Sequence, residues 1–326
     1  MCLVPDPQEP RRTNVSGGLD RKGERGTLQK CMRVDGASAR LYNRPMEPEA
    51  VDALIEAALE EDMPRGDVTS ESVIPGDSCS RAGFLAKENG VLAGIGIVWR
   101  VFHKIDPGIV FSVDVEDGQE FSSGDILARL EGRSISLLKG ERTALNFVQR
   151  LSGIATATRR FVRAVEGTKT RILDTRKTTP GLRVLEKYAV KMGGGFNHRL
   201  NLSDMVLIKD NHLEIVGSVA EAVKRAKAKA APGIKIEVEV TNFEGARTAL
   251  ENGADMIMLD NMPLDRIKAV VDWIGGRVPI EVSGNIGLDR AREIAEIGAD
   301  FISVGALTHS YKSVDISLEF DGERRP

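Results

Sequence analysis

The chain has 326 residues, of which 41% are hydrophobic and 29% charged, as in an ordinary globular protein with a sizeable core. Its 45 lysines and arginines are balanced by 48 acidic residues, and the net charge of −3 argues against nucleic-acid binding through overall positive charge. No apolar run approaches the roughly 20 residues that span a bilayer, so a membrane partner is not expected either. The three cysteines show neither metal-ligand spacing nor a disulfide framework, a pattern typical of the reducing cytoplasm.

Residues 1–44 differ in composition from the rest of the chain. Prolines and glycines lie among charged residues with little apolar periodicity, which predicts a disordered tail. The segment has no apolar region of the secretory type. A transit peptide, or a translation start at Met32 or Met46, are the alternative interpretations.

Residues 45–166 predict a first α/β domain. Apolar residues at helical spacing follow Pro48, a residue suited to a helix start. A long helical region is predicted over 134–165, broken or kinked near residues 152 and 153. Between them, turn glycines separate short predicted strands over 83–87, 90–95, 110–115 and 125–131.

After residue 167 short apolar strands alternate with amphipathic helices, which predicts a parallel sheet with right-handed crossovers. The predicted strands span 171–174, 205–208, 235–240, 256–259, 279–282 and 301–304. Predicted helices between them include 218–230, 243–252, 264–274 and 288–297.

Polar or small residues gather at the carboxyl ends of all six strands, and this favours a barrel over an open doubly wound sheet. In a barrel the carboxyl ends of the strands form one ring, where active sites lie. In an open sheet they spread along an edge. Contact with water at strand ends explains one or two such residues but not six. The residues are 174–177, 209–210, Glu237 and Glu239, 260–261, 283–285 and 305–306.

Cations are concentrated after the first two barrel strands, and His198 joins them after a triple glycine. Such a cluster suits an anion with several charges, because guanidinium groups bind carboxylate or phosphate oxygens in pairs. A solvated helix face is the simpler interpretation of Arg183 and Lys187. The cluster comprises Arg176, Lys177, Arg183, Lys187, Arg199 and Lys209.

Glu239 and Asp260 end neighbouring strands and suggest Mg²⁺ held jointly with a ligand's phosphates. Binding of sugar hydroxyls, stabilisation of a cationic transition state, and simple ion pairing are the alternatives. Strand alternation puts Glu237 on the same face as Glu239, deeper in the barrel. The small residues at 283–285 and 305–306 are typical of a barrel phosphate site.

Six segments resemble signatures of the quinolinate phosphoribosyltransferase family, also called nicotinate-nucleotide pyrophosphorylase (carboxylating). The resemblance runs from about residue 47 to residue 320 and leaves the predicted tail without a counterpart. The segments are ERTALNF at 141–147, SGIAT at 152–156, LDTRKTTPGL at 173–182, GGGFNHR at 193–199, VLIKDNH at 206–212 and SVGALTHS at 303–310.

The resemblance implies an N-terminal α/β sandwich over 45–166, packed on an incomplete, TIM-like α/β barrel of about seven strands over 167–312. The last segment, 313–326, is expected to return to the N-terminal domain. The family also implies a homodimer, sometimes assembled further, in which one subunit's N-terminal domain covers the partner's barrel mouth.

The family forms nicotinate mononucleotide, carbon dioxide and pyrophosphate from quinolinate and phosphoribosyl pyrophosphate in NAD synthesis, with Mg²⁺ and no organic cofactor. By resemblance, quinolinate is held by Arg176, His198, Arg199, Lys209 and the partner subunit's Arg142. The donor is oriented by Thr175, Lys177 and Lys209, and Glu239 and Asp260 bind ribose and, directly or indirectly, Mg²⁺. The phosphate is bound by Ser283, Gly284, Asn285, Val304, Gly305 and Ala306, and the catalytic group is Lys177, Lys209, Glu239 and Asp260.

Two rival functions remain at the level of the sequence. One is a paralogous phosphoribosyltransferase on the same scaffold, either the molybdenum-transport-associated type or one that takes nicotinate; the surplus of cations argues against a monocarboxylate. The other is a non-catalytic phosphate-binding barrel, which a ring of both cations and carboxylates disfavours.

Overall fold

The computed structural model describes residues 48–321. The tail predicted over 1–44 therefore lies outside the described residues, as does the end of the predicted C-terminal segment, 322–326.

The first half of the described chain is an antiparallel sheet covered by helices. Its elements are α1 (Pro48–Asp62), α2 (Val68–Val73), β1 (Cys79–Ala86), β2 (Gly90–Val91), α3 (Ile95–Ile105), β3 (Val110–Val113), β4 (Glu120–Phe121), β5 (Ile126–Arg133) and α4 (Ser134–Ala164). The sheet order is β12-β1-β5-β3, where β12 (Ile316–Phe320) comes from the far end of the chain. The rings of Phe84 on β1 and Phe102 on α3 meet edge to face at 6.1 Å, so the sheet and the helix share one core.

Two details of this half differ from the sequence prediction. The strand predicted over 90–95 ends at Val91, and Ile95 begins helix α3, because Gly94 reverses the chain at φ +99° and Ile95 N–H is capped by Asp117. Helix α4 is continuous through Gly153, where the sequence predicts a break or kink. That glycine instead allows backbone contact, since a Cβ there would lie 2.3 Å from the Lys312 carbonyl oxygen.

The second half alternates strands and helices, as predicted. Its elements are β6 (Arg171–Leu173), α5 (Arg183–Met192), β7 (Val206–Ile208), α6 (Asp210–Val216), α7 (Val219–Lys229), β8 (Ile236–Val240), α8 (Phe243–Glu251), β9 (Met256–Asp260), α9 (Leu264–Ile274), β10 (Ile280–Ser283), α10 (Leu288–Ile297), β11 (Phe301–Ser303) and α11 (Ala306–His309). The six strands are all parallel and follow the order β6-β11-β10-β9-β8-β7.

The parallel sheet is curled into a barrel that stays open on one side. Phe196 forms a single parallel bridge with Leu173 on β6, so the chain at Phe196 lies beside the six-stranded sheet where a seventh strand would lie. The next residues reach across the barrel, because His198 Nε2 lies 3.0 Å from Glu237 on β8. In a flat sheet β6 and β8 would be separated by roughly 19 Å, at about 4.8 Å per strand. The incomplete TIM-like barrel predicted from the resemblance is confirmed.

Strand β12 pairs antiparallel with β1, so the end of the described chain lies in the first sheet. None of the helices described over 48–321 combines the length and the apolar composition that crossing a bilayer requires.

Candidate active site at the carboxyl ends of the barrel strands

A cavity of about 780 Å³ opens at the carboxyl ends of the barrel strands. Fourteen of the predicted site residues line it, and they come from every strand of the barrel. They are Thr175, Arg176, Lys177, His198, Arg199, Lys209, Glu239, Asp260, Ser283, Gly284, Asn285, Val304, Gly305 and Ala306.

Strand register explains why residues distant in sequence meet here. Parallel pairing sets Asp260 at the end of β9 beside Ser283 at the end of β10. It also sets Glu239 on β8 beside Met258, two residues before Asp260. Because side chains alternate along a strand, Glu239 and Asp260 project from neighbouring strands at the rim, and Glu237 lies one layer deeper.

One wall of the cavity, formed around Arg176 and Arg199, carries positive charge that no carboxylate next to it among residues 48–321 neutralises. Arg199 is 8% exposed and donates from Nη1 to the Met205 carbonyl at 3.2 Å. Burial, followed by the charge of Arg176, lowers the pKa of Arg199. Within the described part of the chain, the buried Nε of Arg176 has no hydrogen-bond partner. Two neighbouring guanidinium groups with a donor to spare are suited chemically to an anion.

His198 lies over two buried carboxylates at the base of the cavity. Its Nε2 is 3.0 Å from Glu237 and 3.4 Å from Glu281, both fully buried. Burial alone would lower the pKa of His198, but Glu281 and Glu237 outweigh it and raise the pKa to about 10. Burial and the charge of Glu281 raise the pKa of Glu237 to about 7. The Arg199 N–H, which donates to His198 Nδ1 at 2.7 Å, opposes protonation of the ring.

This trio is also the one group of three potential metal ligands within the described range, with ligand atoms less than 4.8 Å apart. The metal predicted from the sequence is assigned elsewhere, to Glu239 and Asp260. We interpret the trio as an ion pair and not a metal site, because, against the effect of burial, the two carboxylates raise the pKa of His198 and because the 3.0 Å Nε2–Oε2 distance is that of a direct hydrogen bond. Sequence reasoning missed Glu281, although it stands two residues before Ser283, as Glu237 stands two before Glu239.

The ends of β8 and β9 carry the carboxylates of the rim. Lys209 Nζ donates to Glu239 at 2.6 Å, and Asn261 Nδ2 donates to Asp260 at 2.7 Å. Asn261 and Asn285 have φ of 51° and 49°, the two positive values at non-glycine residues over 48–321, and their side chains bond to each other at 3.1 Å. Strained backbone of this kind is concentrated at ligand-binding loops.

Small residues shape the third side of the cavity. A Cβ on Gly284 would lie 2.3 Å from the side chain of Asn261, and one on Gly305 would lie 2.9 Å from the side chain of Lys177. Gly287, which also lines the cavity, is the N-cap residue of the ten-residue helix α10. Backbone N–H groups at such a helix start suit a phosphate. His309 also lines the cavity and was not predicted, although it lies in the SVGALTHS segment.

Two residues differ from their predicted surroundings. Lys187, interpreted from the sequence as part of a solvated helix face, is 3% exposed and paired with Asp174, which is fully buried. Helix α5 turns this side chain towards the end of β6, where the carboxylate compensates its charge. Arg183 is half-buried, and it donates to Thr178 at 3.0 Å and to the Leu200 carbonyl at 3.2 Å.

Arg142 is the one predicted site residue that does not line the cavity. It lies exposed on α4, in the first half of the chain. A role for its guanidinium at a barrel mouth therefore requires a second copy of the chain.

Comparison with known proteins identifies one family along both halves. The family model "Quinolinate phosphoribosyl transferase, N-terminal domain" matches residues 67–152, and the C-terminal domain model of that family matches residues 154–319. The chain is 44% identical over 259 residues to the probable nicotinate-nucleotide pyrophosphorylase (carboxylating) of Bacillus subtilis (strain 168), covering 79% of this chain and 89% of the relative. It is 42% identical over 290 residues to the chloroplastic enzyme of that name from Oryza sativa, covering 83% and 78%.

Solved structures agree with this result. The crystal structure of NadC from Streptococcus pyogenes superposes with a TM-score of 0.82 at 41% sequence identity, covering 86% of this chain and 100% of that one. The nicotinate-nucleotide pyrophosphorylase from Francisella tularensis gives the same TM-score of 0.82 at 39% identity, covering 85% and 98%.

Proposed function

The chain belongs to the quinolinate phosphoribosyltransferase family, and we propose that its barrel cavity carries out that family's reaction. The enzyme converts quinolinate and phosphoribosyl pyrophosphate to nicotinate mononucleotide, pyrophosphate and carbon dioxide, in de novo NAD biosynthesis. One observation supports this most directly: a single cavity combines a cationic wall, a pair of carboxylates and loops of small residues. These three parts match a dicarboxylate, a ribose and a phosphate.

The cationic wall binds quinolinate. The two carboxylates of this substrate lose water on entering the cavity, and buried charges without partners are costly. Arg176 and Arg199 repel each other in the free site, and the Arg176 Nε lacks a partner among residues 48–321. A dianion removes both costs. His198 and Lys209 complete the set of cations on this wall.

The rest of the ring binds the phosphoribosyl donor. Thr175, Lys177 and Lys209 orient the donor, and Glu239 and Asp260 hold the ribose hydroxyls. The phosphate lies against the small-residue loops after β10 and β11, where the backbone is accessible. The residues assigned to the phosphate are Ser283, Gly284, Asn285, Val304, Gly305 and Ala306.

Bond formation at the ribose requires little proton transfer. The pyridine nitrogen of quinolinate attacks the ribosyl carbon, and pyrophosphate leaves with the electron pair of the broken C–O bond. Lys177 and Lys209 neutralise the charge that develops on the leaving group. Glu239 and Asp260 stabilise the positive charge that develops on the ribosyl carbon. We assign no general base.

Loss of carbon dioxide follows from the product of that step. The ring nitrogen is now cationic, so the carbon–carbon bond to the adjacent carboxylate breaks and carbon dioxide leaves. The electron pair stays on the ring carbon beside the positive nitrogen until a proton arrives from water. The pyridinium itself is the electron sink, and no organic cofactor is needed.

We propose Mg²⁺ as the metal that accompanies the donor. Glu239 and Asp260 offer hard carboxylate oxygens of the kind Mg²⁺ prefers, and each uses one oxygen in a hydrogen bond, to Lys209 and Asn261. The donor set therefore fits the ion, bound directly or through the donor's phosphates. When bound, Mg²⁺ supplies charge neutralisation on the pyrophosphate.

The molybdenum-transport-associated alternative is set aside. The relatives and structures compared above are nicotinate-nucleotide pyrophosphorylases, and both halves of the chain match one family. A phosphate-binding barrel without catalysis is set aside on the same ground.

The test is a turnover assay on the purified protein with quinolinate, phosphoribosyl pyrophosphate and Mg²⁺, following nicotinate mononucleotide. A parallel assay replaces quinolinate with nicotinate. The monocarboxylate leaves one or more cations of the wall unpaired, so we expect kcat/KM for nicotinate to be lower by about a hundredfold or more. Equal kcat/KM for the two acids would contradict the assignment of the cationic wall.

We propose that two chains share each site, with the partner subunit's Arg142 completing the quinolinate pocket. The support is the exposed position of this arginine on α4, outside its own chain's cavity. Higher assembly of dimers is compatible with this arrangement. Arg142→Ala should lose quinolinate binding while the barrel stays folded, and Lys177→Ala should fail inside its own barrel.

Subunit mixing distinguishes a shared site from a private one. Random exchange between the two inactive variants makes half of the dimers mixed, and each mixed dimer has one intact site of two. About a quarter of wild-type activity should therefore return, by the symmetry of a two-fold dimer. If native mass spectrometry shows mixed dimers and the mixture stays inactive, Arg142 does not serve a partner.

We propose domain boundaries near residues 45, 167 and 313, with the final segment belonging to the first sheet. Limited proteolysis followed by mass mapping of the fragments tests these positions. We also propose a cytoplasmic location, on the ground that the three cysteines are scattered and have neither metal-ligand nor disulfide-framework spacing. Fractionation of cells with an antibody to the protein tests that location.

A further inference from the structure

A buried ion pair lies directly behind the cationic wall, and the reaction described above does not use it. Asp174 is fully buried and Lys187 is 3% exposed, and Lys187 Nζ donates to Asp174 Oδ1. Neither residue lines the cavity. Asp174 immediately precedes Thr175 at the end of β6, and Lys187 lies in the middle of α5. The pair therefore joins a strand end to a helix one step away from the substrate.

The remaining contacts of the pair go to the segment that carries His198. Asp174 Oδ1 accepts from His198 N–H at 2.8 Å, and Lys187 Nζ donates to the His198 carbonyl at 2.9 Å. Asp174 Oδ2 accepts from Asn197 Nδ2 at 2.6 Å. Both backbone polar groups of His198 are thus held by one ion pair. The hydrogen bonds are charge-assisted and nearly excluded from water, which makes them strong and directional.

Stability alone is a weak reason for this arrangement. Removing two charges from water is costly, and well-packed neutral side chains often replace a buried ion pair without loss of stability. What apolar side chains cannot reproduce is a pair of hydrogen bonds to the N–H and the carbonyl of one residue. That residue and the next, Arg199, line the quinolinate wall, whereas the phosphate loops after β10 and β11 lie on other strands.

We propose that Asp174 and Lys187 are positioning residues for quinolinate, holding 198–199 in register with 175–177 across the cationic wall. This inference rests on the proposed function. A displacement of about 1 Å at such a site can cost roughly a hundredfold in rate. The effect should fall on quinolinate and spare the donor, because the hydrogen bonds of the ion pair hold 197–198. The donor-orienting residues 175–177 are also held from the other side, where Thr308 Oγ1 donates to the Lys177 carbonyl at 2.8 Å.

The experiment compares Lys187→Met, Asp174→Asn and the double variant. Each single variant leaves one buried charge uncompensated and can fail to fold. The double variant removes both charges. Its new asparagine side chain keeps an oxygen that accepts from His198 N–H, whereas its new methionine side chain has no N–H to donate to the His198 carbonyl. Lys191→Met is the matched control, since this half-buried lysine lies one turn further along the same helix. Melting temperature, kcat and the KM of each substrate are measured for all variants.

We expect the double variant to melt within a few degrees of wild type. Its KM for quinolinate should rise at least tenfold, its KM for the donor should change less than twofold, and the control should behave as wild type. A folded double variant with unchanged KM for quinolinate overturns the inference, as does an equal rise in both KM values. A double variant that does not fold also overturns it, because the pair would then serve the fold. A wild-type protein that does not consume quinolinate refutes the proposed function, and the inference with it.

Discussion

Gly153 on α4 offers a sharp test of how the two halves of the chain are joined. A Cβ added here would lie 2.3 Å from the Lys312 carbonyl oxygen and 2.9 Å from Ser313 Cα, both backbone atoms. Ordinary contact needs about 3.5 Å, so the segment at 312–313 would have to move by about 1 Å. That segment is anchored, because Val314 N–H donates to the Gln149 carbonyl at 3.1 Å and the chain continues into β12.

The expected magnitude for Gly153→Ala is the difference between two effects. Alanine gains up to about 1 kcal/mol over glycine inside a helix. Overpacking against backbone costs about 3 kcal/mol or more, the upper end of the usual range. The free energy of unfolding should therefore fall by roughly 2 kcal/mol or more, and the melting temperature by about 4–8 °C.

Gly96→Ala is the matched control, because Gly96 is exposed in helix α3 and a Cβ there meets nothing within 4 Å. Its melting temperature should stay level or rise by a few degrees, through the same helix preference of about 1 kcal/mol. Thermal unfolding followed by circular dichroism measures both variants. A Gly153→Ala protein as stable as wild type would refute the claim that this glycine serves close backbone contact.

Two further predictions concern the site. Glu239→Ala and Asp260→Ala should each raise the KM for phosphoribosyl pyrophosphate or lower kcat by about ten- to hundredfold, which is the range for the loss of a charged hydrogen bond. Quinolinate binding should be largely kept. Unchanged steady-state kinetics in both variants would mean that the two carboxylates are only structural. Burial lowers the pKa of His198, but Glu281 and Glu237 outweigh burial and raise the pKa to about 10 in the folded protein. The protonated ring therefore contributes fully to the free energy of unfolding below pH 6.5, the pKa in the unfolded chain, and this contribution is lost as the pH rises towards 10. Urea unfolding between pH 6.5 and 10 should show a smaller loss of stability for His198→Gln than for wild type, and parallel pH curves would contradict the charge assigned to the ring.

Local sequence patterns were sufficient for most of the barrel. Helices α9 and α10 lie at the residues predicted from their apolar spacing, and all six predicted strands are present. The reason is that each buried strand is a short apolar run and each helix repeats apolar residues every three or four positions. Both patterns can be recognised from neighbouring residues alone. In the first half, the prediction was wrong at Ile95. The apolar run there predicts a strand, but Ile95 N–H donates to Asp117 and a helix begins at this residue.

What the sequence by itself determined was most of the chemistry of the strand ends: fourteen residues that line the cavity, among them its cations, the rim carboxylates and the small residues, were identifiable from their types, their positions and the family resemblance. What only the tertiary structure decided is which of these residues face the cavity and which lie behind it. Lys187 was indistinguishable in sequence from a solvated helix lysine, and Glu281 looked like any strand residue, yet both are buried against partners distant in the chain. Sequence spacing indicates which residues share one face of a helix or strand. It does not indicate which residue pairs with a buried charge, because the partners meet only when the barrel curls. That curling brings β8, β10 and the segment after β6 within hydrogen-bond distance.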